Sequence, residues 1–342
     1  MNAHISSSKP AVVALLAISA VSITSPAFAL DKVRFGTDWL AEADHGGFYQ
    51  AVADGTYAKY GLEVEIQQGG PGAQNRAMLL AGKLDFYLGT QQEQLVGQEQ
   101  GIPLVDVAAI YQKNAQVILA HPNKGIDQFG DLAKLKTIFM TQGGFGAYFE
   151  WMKANFKGFH DEQFRPYNFS PAPFLADENS AQQGLITSEP YAIKTQTGID
   201  PKIFLLADAG YAPYATMITV PRKLIDTNPD LVQRFVDASI EGWYNYLYGD
   251  NSAANALIKK ENPDMTDGQI EYAISKLKEY GIIDSGDALD KGIGCLTAEH
   301  YTQFAKTLVS VKLLKPETDV TKAFDTRFSC KGVGLALKRS AG

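Results

Sequence analysis

Cysteine is scarce in this chain, which has only Cys295 and Cys330 among 342 residues. No spacing of cysteine and histidine matches a zinc site, and the histidines that follow residue 29 are widely scattered. We expect no cofactor and no metal. In an oxidising compartment the two cysteines are predicted to form one disulfide, and the alternative is two separate buried thiols.

Long apolar runs are absent except near the N-terminus, where "AVVALLAISAV" follows a stretch with one lysine and no acid. That run is short for a membrane span and is followed by Ala27-Phe28-Ala29, a small-x-small pattern. We therefore predict a signal peptide over residues 1–29 with cleavage near Ala29. The mature protein is expected in the periplasm, without a lipid anchor.

An excess of positive charge is also lacking. Lys9 is the only charged residue before position 30, so 30 basic and 38 acidic residues remain after cleavage. A net charge of about −8 disfavours nucleic acid and anionic membranes as partners. Charge blocks and low-complexity segments are missing as well.

What the sequence does contain is an alternation of strand-like and helix-like segments. "KVRFGTDW", "LEVEIQQ", "LDFYLG" and "PLVDVAAIYQ" are typical of strands, and helical segments separate them. This order predicts an α/β fold with mainly parallel sheets flanked by helices. The last third, from "NPDLVQRF" onwards, is predicted to be a set of amphipathic helices.

The length and this pattern predict two lobes. Lobe 1 is expected to contain residues 30–117 and 216–342, with residues 118–215 inserted as lobe 2. Two crossovers between the lobes would allow a hinge and a ligand cleft, because ligands of open α/β sheets bind at the carboxyl ends of strands.

Four blocks of sequence carry a resemblance over nearly the whole mature chain: "DWLAEADHGGFYQAVADGTYAKYGLEVEI", "GGPGAQNRAMLLAGKLDFYLG", "DLAKLKTIFMT" and "AQQGLITSEPYAI". Their order and spacing resemble the periplasmic solute-binding proteins of ABC importers for thiamine precursors, with sulfonate- and nitrate-binding relatives. The resemblance implies a type II periplasmic binding fold. It also implies an ABC permease in the inner membrane as partner, and we expect a monomer.

The first block matches the family's Trp-x-x-Asn-x-x-His-x-Gly pattern at Trp39, His45 and Gly47 but departs from it at two acids. Glu42 stands at an asparagine position, and Asp44 directly precedes the histidine. A related pyrimidine-synthesising enzyme has a cysteine-rich motif that is absent here, so we predict a binding protein and no enzyme.

In lobe 1 we predict ligand contacts at the carboxyl ends of strands, where an aromatic face could hold a flat ring. For His45 a structural hydrogen bond is an equal alternative, Tyr49 could instead belong to the core, and Asp44 is predicted to cap a helix. The lobe 1 candidates are Asp38, Trp39, His45, Tyr49 and Thr90.

In lobe 2 the strand-to-helix turn "MTQGGFG" offers free backbone N–H groups, and "SEPY" offers a carboxylate beside an aromatic ring. We predict an extended backbone at the glutamate, because a proline follows it. The lobe 2 and crossover candidates are Gln142, Gly143, Gly144, Phe145, Glu189, Tyr191, Asp208 and Tyr211.

Acidic residues are frequent at these predicted ligand-contact positions and arginine is scarce. This composition disfavours sulfonate, nitrate or phosphate as the ligand. We therefore expect a receptor that closes around a small heteroaromatic, N–H-rich solute such as a pyrimidine precursor of thiamine. The alternatives are a sulfonate-, nitrate- or riboflavin-type receptor, a receptor coupled to a sensor, or an enzyme.

Overall fold

The computed structural model describes residues 1, 3 and 29–340. The predicted signal peptide therefore lies almost entirely outside the described residues. Within the described part, no helix is both long and apolar enough to cross a membrane.

The first sheet has the strand order β2-β1-β3-β10-β4. β1 runs parallel to β2 and β3, whereas β10 is antiparallel to both of its neighbours. These five strands are β1 (Asp31–Gly36), β2 (Leu62–Gln67), β3 (Phe86–Gly89), β4 (Leu104–Tyr111) and β10 (Ala215–Pro221).

The second sheet has the order β7-β6-β8-β5-β9. β6 is parallel to β7 and β8, and β5 is antiparallel to β8 and β9. Its strands are β5 (Gln116–Ala120), β6 (Thr137–Met140), β7 (Phe164–Pro166), β8 (Ser180–Leu185) and β9 (Lys202–Leu205). The mixed α/β fold with two five-stranded sheets agrees with the predicted fold class.

Helices flank both sheets. The α-helices are α1 (Gly46–Ala53), α2 (Thr56–Lys59), α3 (Asn75–Leu80), α4 (Gln91–Glu99), α5 (Gln142–Gly144), α6 (Glu150–Asn155), α7 (Ala172–Ala176), α8 (Glu189–Thr197), α9 (Arg222–Thr227), α10 (Pro229–Tyr248), α11 (Ser252–Glu261), α12 (Asp267–Glu279), α13 (Ala288–Lys291), α14 (Ala298–Ser310) and α15 (Leu335–Ser340). A π-helical segment, Phe145–Phe149, joins α5 to α6.

The glycine pair at the start of α1 allows this helix to approach α10 closely. A Cβ on Gly46 would lie 2.1 Å from the ring of Tyr246, and one on Gly47 would lie 2.2 Å from Trp243. α10 itself begins after Asn228, whose side chain accepts a hydrogen bond from the Leu231 N–H. This packing fixes the chain that leads from β1 into α1.

The C-terminal segment covers the outer edge of β4. The Asp106 N–H donates to the Ala323 carbonyl at 2.9 Å, and the Ala109 N–H donates to the Gly294 carbonyl at 3.0 Å. Cys295, the residue after this bridge, forms a disulfide with Cys330. The edge strand is therefore paired, which protects a row of backbone groups from association with another chain.

Two connections join the sheets: residues 112–115 lead from β4 to β5, and residues 206–214 lead from β9 to β10. The strands of the second sheet all lie between these connections. The carboxyl ends of β1 and β3 face the turns that follow β6 and β8, and cavities bordered by residues from both sets lie between them.

Removing the disulfide should destabilise the lobe that contains β4. The bond closes a loop with a sequence separation of 35 residues, for which loss of the cross-link costs about 3–4 kcal/mol. The double variant Cys295→Ser/Cys330→Ser should melt at a lower Tm in circular dichroism, and wild type treated with a reductant should match it. An unchanged Tm in both samples would contradict this role.

Candidate functional site

Two cavities lie between the sheets. The first, which we call the acid-lined cavity, has a volume of about 730 Å³ and is bordered by Trp39 and Glu42 on one side and by Phe169 and Glu189 on the other. The second, the amide-lined cavity, has about 480 Å³ and is bordered by Gln92, Asn114, Gln116 and Gln183.

Glu42 borders the acid-lined cavity with an unpaired carboxylate. Among the described residues no hydrogen bond or ion pair reaches its side chain, and its backbone is extended. Burial raises its pKa well above the usual value, and the nearby charges of Asp44, Asp38 and Glu189 raise it further. The departure of Glu42 from the family pattern was the sequence signal for this group.

Asp44 does not cap a helix, so that prediction was wrong. The 3₁₀ turn Ala43–His45 starts after Glu42, and no side chain caps it. One Asp44 oxygen instead accepts hydrogen bonds at 2.8 Å from the Tyr111 hydroxyl and at 2.8 Å from the Thr187 hydroxyl. Burial raises the Asp44 pKa, and these two bonds oppose that shift. Since Thr187 follows β8, Asp44 connects the two sides of the cleft.

His45 is buried and its Nε2 lies 2.9 Å from the Asp38 carboxylate. Its other ring nitrogen has no hydrogen-bond partner within the described chain. Asp38 is half exposed and borders a smaller cavity of about 370 Å³ beside α3. The pair therefore orients the turn after β1, which matches the structural alternative for His45.

Glu189 is the first residue of α8 and is helical, so the predicted extended backbone was wrong. Pro190 is tolerated there because the first helical turn needs no N–H from it. The Glu189 carboxylate accepts hydrogen bonds from the Leu185 N–H at 2.7 Å and from the Ser188 hydroxyl at 2.6 Å. The Tyr167 hydroxyl donates a longer one at 3.4 Å. Burial raises its pKa, and these hydrogen bonds partly offset the effect.

Aromatic rings from both sides meet above the acid-lined cavity. The ring centroids of Trp39 and Phe169 are 4.8 Å apart, with planes inclined by 43°. Phe169 has a φ of 63°, a region that bulky residues rarely adopt, and its side chain is half exposed. On the same cavity Tyr191 packs against Tyr272 at 5.2 Å.

Several predicted residues border the amide-lined cavity, namely Thr90, Gly143, Gly144 and Tyr211. Thr90 also caps α4, since its hydroxyl accepts a bond from the Glu93 N–H at 3.2 Å. The Gly144 N–H is already bonded to the Thr141 hydroxyl at 3.1 Å, so it is not free for a ligand.

Other predicted residues lie outside these cavities. Tyr49 is fully buried and donates to Glu261 at 3.0 Å. Phe145 packs on Phe164 with ring centroids 4.3 Å apart. Asp208 forms an ion pair with Lys113 at 2.6 Å beside the crossovers, and Gln142 does not border either cavity.

Sequence reasoning missed Phe169 and the amides of the second cavity. Phe169 lies in the loop between β7 and α7. The sequence of this loop looks like that of an exposed Pro-rich turn, so it did not indicate a ligand contact. Gln183 sits in the middle of the block "AQQGLITSEPYAI", two residues before the end of β8. Its position at a strand end was the available signal.

Solved structures of periplasmic solute-binding proteins share this fold. The nitrate-binding protein NrtA of Synechocystis PCC 6803 superposes with a TM-score of 0.63 at 17% identity, covering 91% of this chain and 88% of that one. The chain belongs to the NMT1/THI5-like family, whose model matches residues 42–253.

Two curated relatives extend the comparison. The riboflavin-binding protein RibY of Chloroflexus aurantiacus is 24% identical over 337 residues, covering 93% of this chain and 95% of that protein. The formylaminopyrimidine-binding protein of Halalkalibacterium halodurans is 19% identical over 249 residues, covering 68% and 72%. Both of these relatives are named as binding proteins for small solutes.

The buried acids predict a characteristic pH dependence of stability. A carboxyl with a raised folded-state pKa holds its proton where the unfolded chain has released it, so stability falls as pH rises above about 4. Glu42, Asp44 and Asp106, whose burial raises its pKa to about 8, all act in this direction.

We expect the Tm of the ligand-free protein to fall between pH 5 and pH 8. Glu42→Gln should reduce that fall, because the amide removes one buried ionisable group, whereas Glu63→Gln at an exposed position of β2 should leave it unchanged. Scanning calorimetry across this range measures both. A Tm that rises with pH, or a Glu42→Gln profile parallel to wild type, would contradict the assignment.

Proposed function

We propose that this protein is the periplasmic substrate-binding component of an ABC importer. It captures a small heteroaromatic solute with N–H donors, such as a pyrimidine precursor of thiamine, by closing two lobes over it. The observation that carries the proposal is the group of carboxylates around the acid-lined cavity, with no lysine or arginine paired to Glu42, Asp44 or Glu189 within the described chain.

The charge of this cavity selects the solute. Burial raises the pKa of Glu42 and of Glu189 in the ligand-free protein. A ligand with N–H donors or a positive charge would favour the ionised forms, which only accept hydrogen bonds. Two like charges 4 Å apart repel by about 4 kcal/mol at an effective dielectric constant near 20. A nitrate or sulfonate beside Glu42 would meet that repulsion when the carboxyl is ionised, whereas an aminopyrimidine would supply the missing donor.

The aromatic pair supplies the apolar part of the site. The ring centroids of Trp39 and Phe169 lie 4.8 Å apart, which is the spacing of a direct aromatic pair and leaves no room for a third ring between them. A flat solute therefore either binds on the free face of Trp39 or separates the two rings. Both arrangements bury a heteroaromatic ring next to the acids.

Contacts across the cleft indicate how closure would be stabilised. Thr187 donates its hydroxyl to Asp44, and its backbone carbonyl accepts a bond from the Gln269 amide of α12 at 2.8 Å. A solute that touches Glu42 on one side and Glu189 on the other would add its own contacts to these. It would thus favour the closed state by the difference in its affinity for the two states.

The names of two relatives support this class of solute, since riboflavin and formylaminopyrimidine are both nitrogen heteroaromatics. A riboflavin-type receptor is the second candidate, and RibY covers almost the whole chain. An inner-membrane permease is the expected partner, with a monomeric receptor in the periplasm.

A panel of solutes tests the proposal. An aminopyrimidine should raise the Tm of the purified protein, because a ligand that binds only the folded state stabilises it in proportion to its saturation. Glu42→Gln should weaken aminopyrimidine binding about tenfold in calorimetric titration, the effect of losing a charge-assisted hydrogen bond.

Glu63→Gln is the matched control and should bind like wild type. Riboflavin joins the panel as the second candidate, with nitrate and an alkanesulfonate as anions. A Tm increase with an anion and none with either ring compound would overturn the proposal.

A further inference from the structure

The amide-lined cavity lies between the same two lobes, but its chemistry is opposite to that of the acid-lined cavity. It is bordered by side chains from α4, from the first crossover and from β8. Among the described residues that border it, Glu93 is the only charged one, and Arg76 pairs with it at 3.1 Å. The orientation of the amides decides what this space can bind.

Gln183 is held in one orientation. Its Oε1 accepts a bond from the Thr141 backbone N–H at 2.6 Å and another from the Tyr148 hydroxyl at 2.7 Å. Because a backbone N–H can only donate, the oxygen must face Thr141. The Gln183 NH₂ group has no hydrogen-bond partner among the described residues, and the residue is 8% exposed.

A second amide on this cavity is oriented in the same way by a backbone N–H, and a third accepts a hydrogen bond from a hydroxyl. The Asn114 Oδ1 accepts a bond from the Gln116 backbone N–H at 2.8 Å, and the Gln92 Oε1 accepts one from the Tyr211 hydroxyl at 2.5 Å. Neither NH₂ group has a hydrogen-bond partner within the described residues. Three amides therefore use their oxygens inside the protein and keep their donors for the cavity.

Uncharged donors of this kind fit an oxygen that accepts hydrogen bonds. An anion would also accept them, but it would be buried without a compensating cation, because no lysine or arginine is among the described residues that border the cavity. A carbonyl or hydroxyl oxygen avoids that cost. A solute that displaces water from these donors without replacing its hydrogen bonds would leave them unpaired, so the cavity discriminates against solutes that lack such an oxygen.

We propose that Gln183, together with Gln92 and Asn114, forms a donor subsite that determines specificity for an uncharged oxygen on the solute. This inference rests on the proposed function and narrows it. The solute is a flat ring with N–H donors on the edge that meets Glu42 and Glu189, and with a carbonyl or hydroxyl oxygen on the part that meets Gln183.

Two probes that differ by one oxygen test the subsite: 4-amino-5-hydroxymethyl-2-methylpyrimidine and 4-amino-2,5-dimethylpyrimidine. Calorimetric titration of the wild-type full-length mature protein should give about tenfold tighter binding of the hydroxymethyl compound, the difference expected for one satisfied donor. The measured quantity is the ratio of the two Kd values, because a general loss of affinity affects both probes equally.

Gln183→Glu is the informative variant. It retains an oxygen for Thr141 and Tyr148 but replaces the donor with a second acceptor, so the ratio should fall to about one. Gln92→Glu should lower the ratio less. If Gln183→Glu has a much lower Tm than wild type, the ratio measured for Gln92→Glu tests the subsite instead. Gln303→Glu makes the same change on α14, outside the cleft, and should keep the wild-type ratio.

The outcomes separate the two proposals. If wild type binds both probes equally, or if the ratio persists in folded Gln183→Glu and Gln92→Glu, the solute class of the proposed function stands and the donor subsite is overturned. If wild type binds neither probe, the proposed function for pyrimidines fails and the subsite fails with it.

Discussion

The burial of several carboxylates between two lobes without a cation is the constraint on which the cleft depends. Glu42 and Asp44 lie two residues apart, and Glu189 approaches them from the other lobe. Desolvation and mutual repulsion both disfavour their ionised forms. The protein relieves this only partly, through hydroxyl and backbone donors to Asp44 and Glu189, while the Glu42 carboxylate has no partner in the described chain. A ligand that donates hydrogen bonds removes the remaining cost, which is why the electrostatics point to the chemistry of the solute.

The rest of the cleft is consistent with this constraint. Trp39 and Phe169 place two aromatic rings on the border of the acid-lined cavity. The tight packing of α1 on α10 at Gly46 fixes the turn that carries Glu42 and Asp44. In the amide-lined cavity, oriented amides such as Gln183 supply donors. Acceptors and donors therefore border two different cavities between the sheets.

Much of the architecture could be predicted from the sequence, because alternating strand and helix patterns and amphipathic helices depend on local periodicity. The placement of Trp39 and Glu189 on a cavity followed from their positions after strands. The role of Asp44 could not be predicted, because an aspartate before a helix looks the same whether it caps the helix or meets Thr187 from another lobe. The donor role of Gln183 was hidden for a similar reason: amide orientation depends on Thr141 and Tyr148, which are distant in sequence.

The most direct test of the account is to identify the solute that the protein carries. The protein would be purified gently from the periplasm of its own host, and native mass spectrometry would give the mass of any bound molecule before and after denaturation. The account predicts a neutral or cationic nitrogen heteroaromatic with at least one N–H donor. A bound anion such as nitrate or a sulfonate would contradict it, because the acid-lined cavity is bordered by Glu42 and Glu189 and by no lysine or arginine among the described residues.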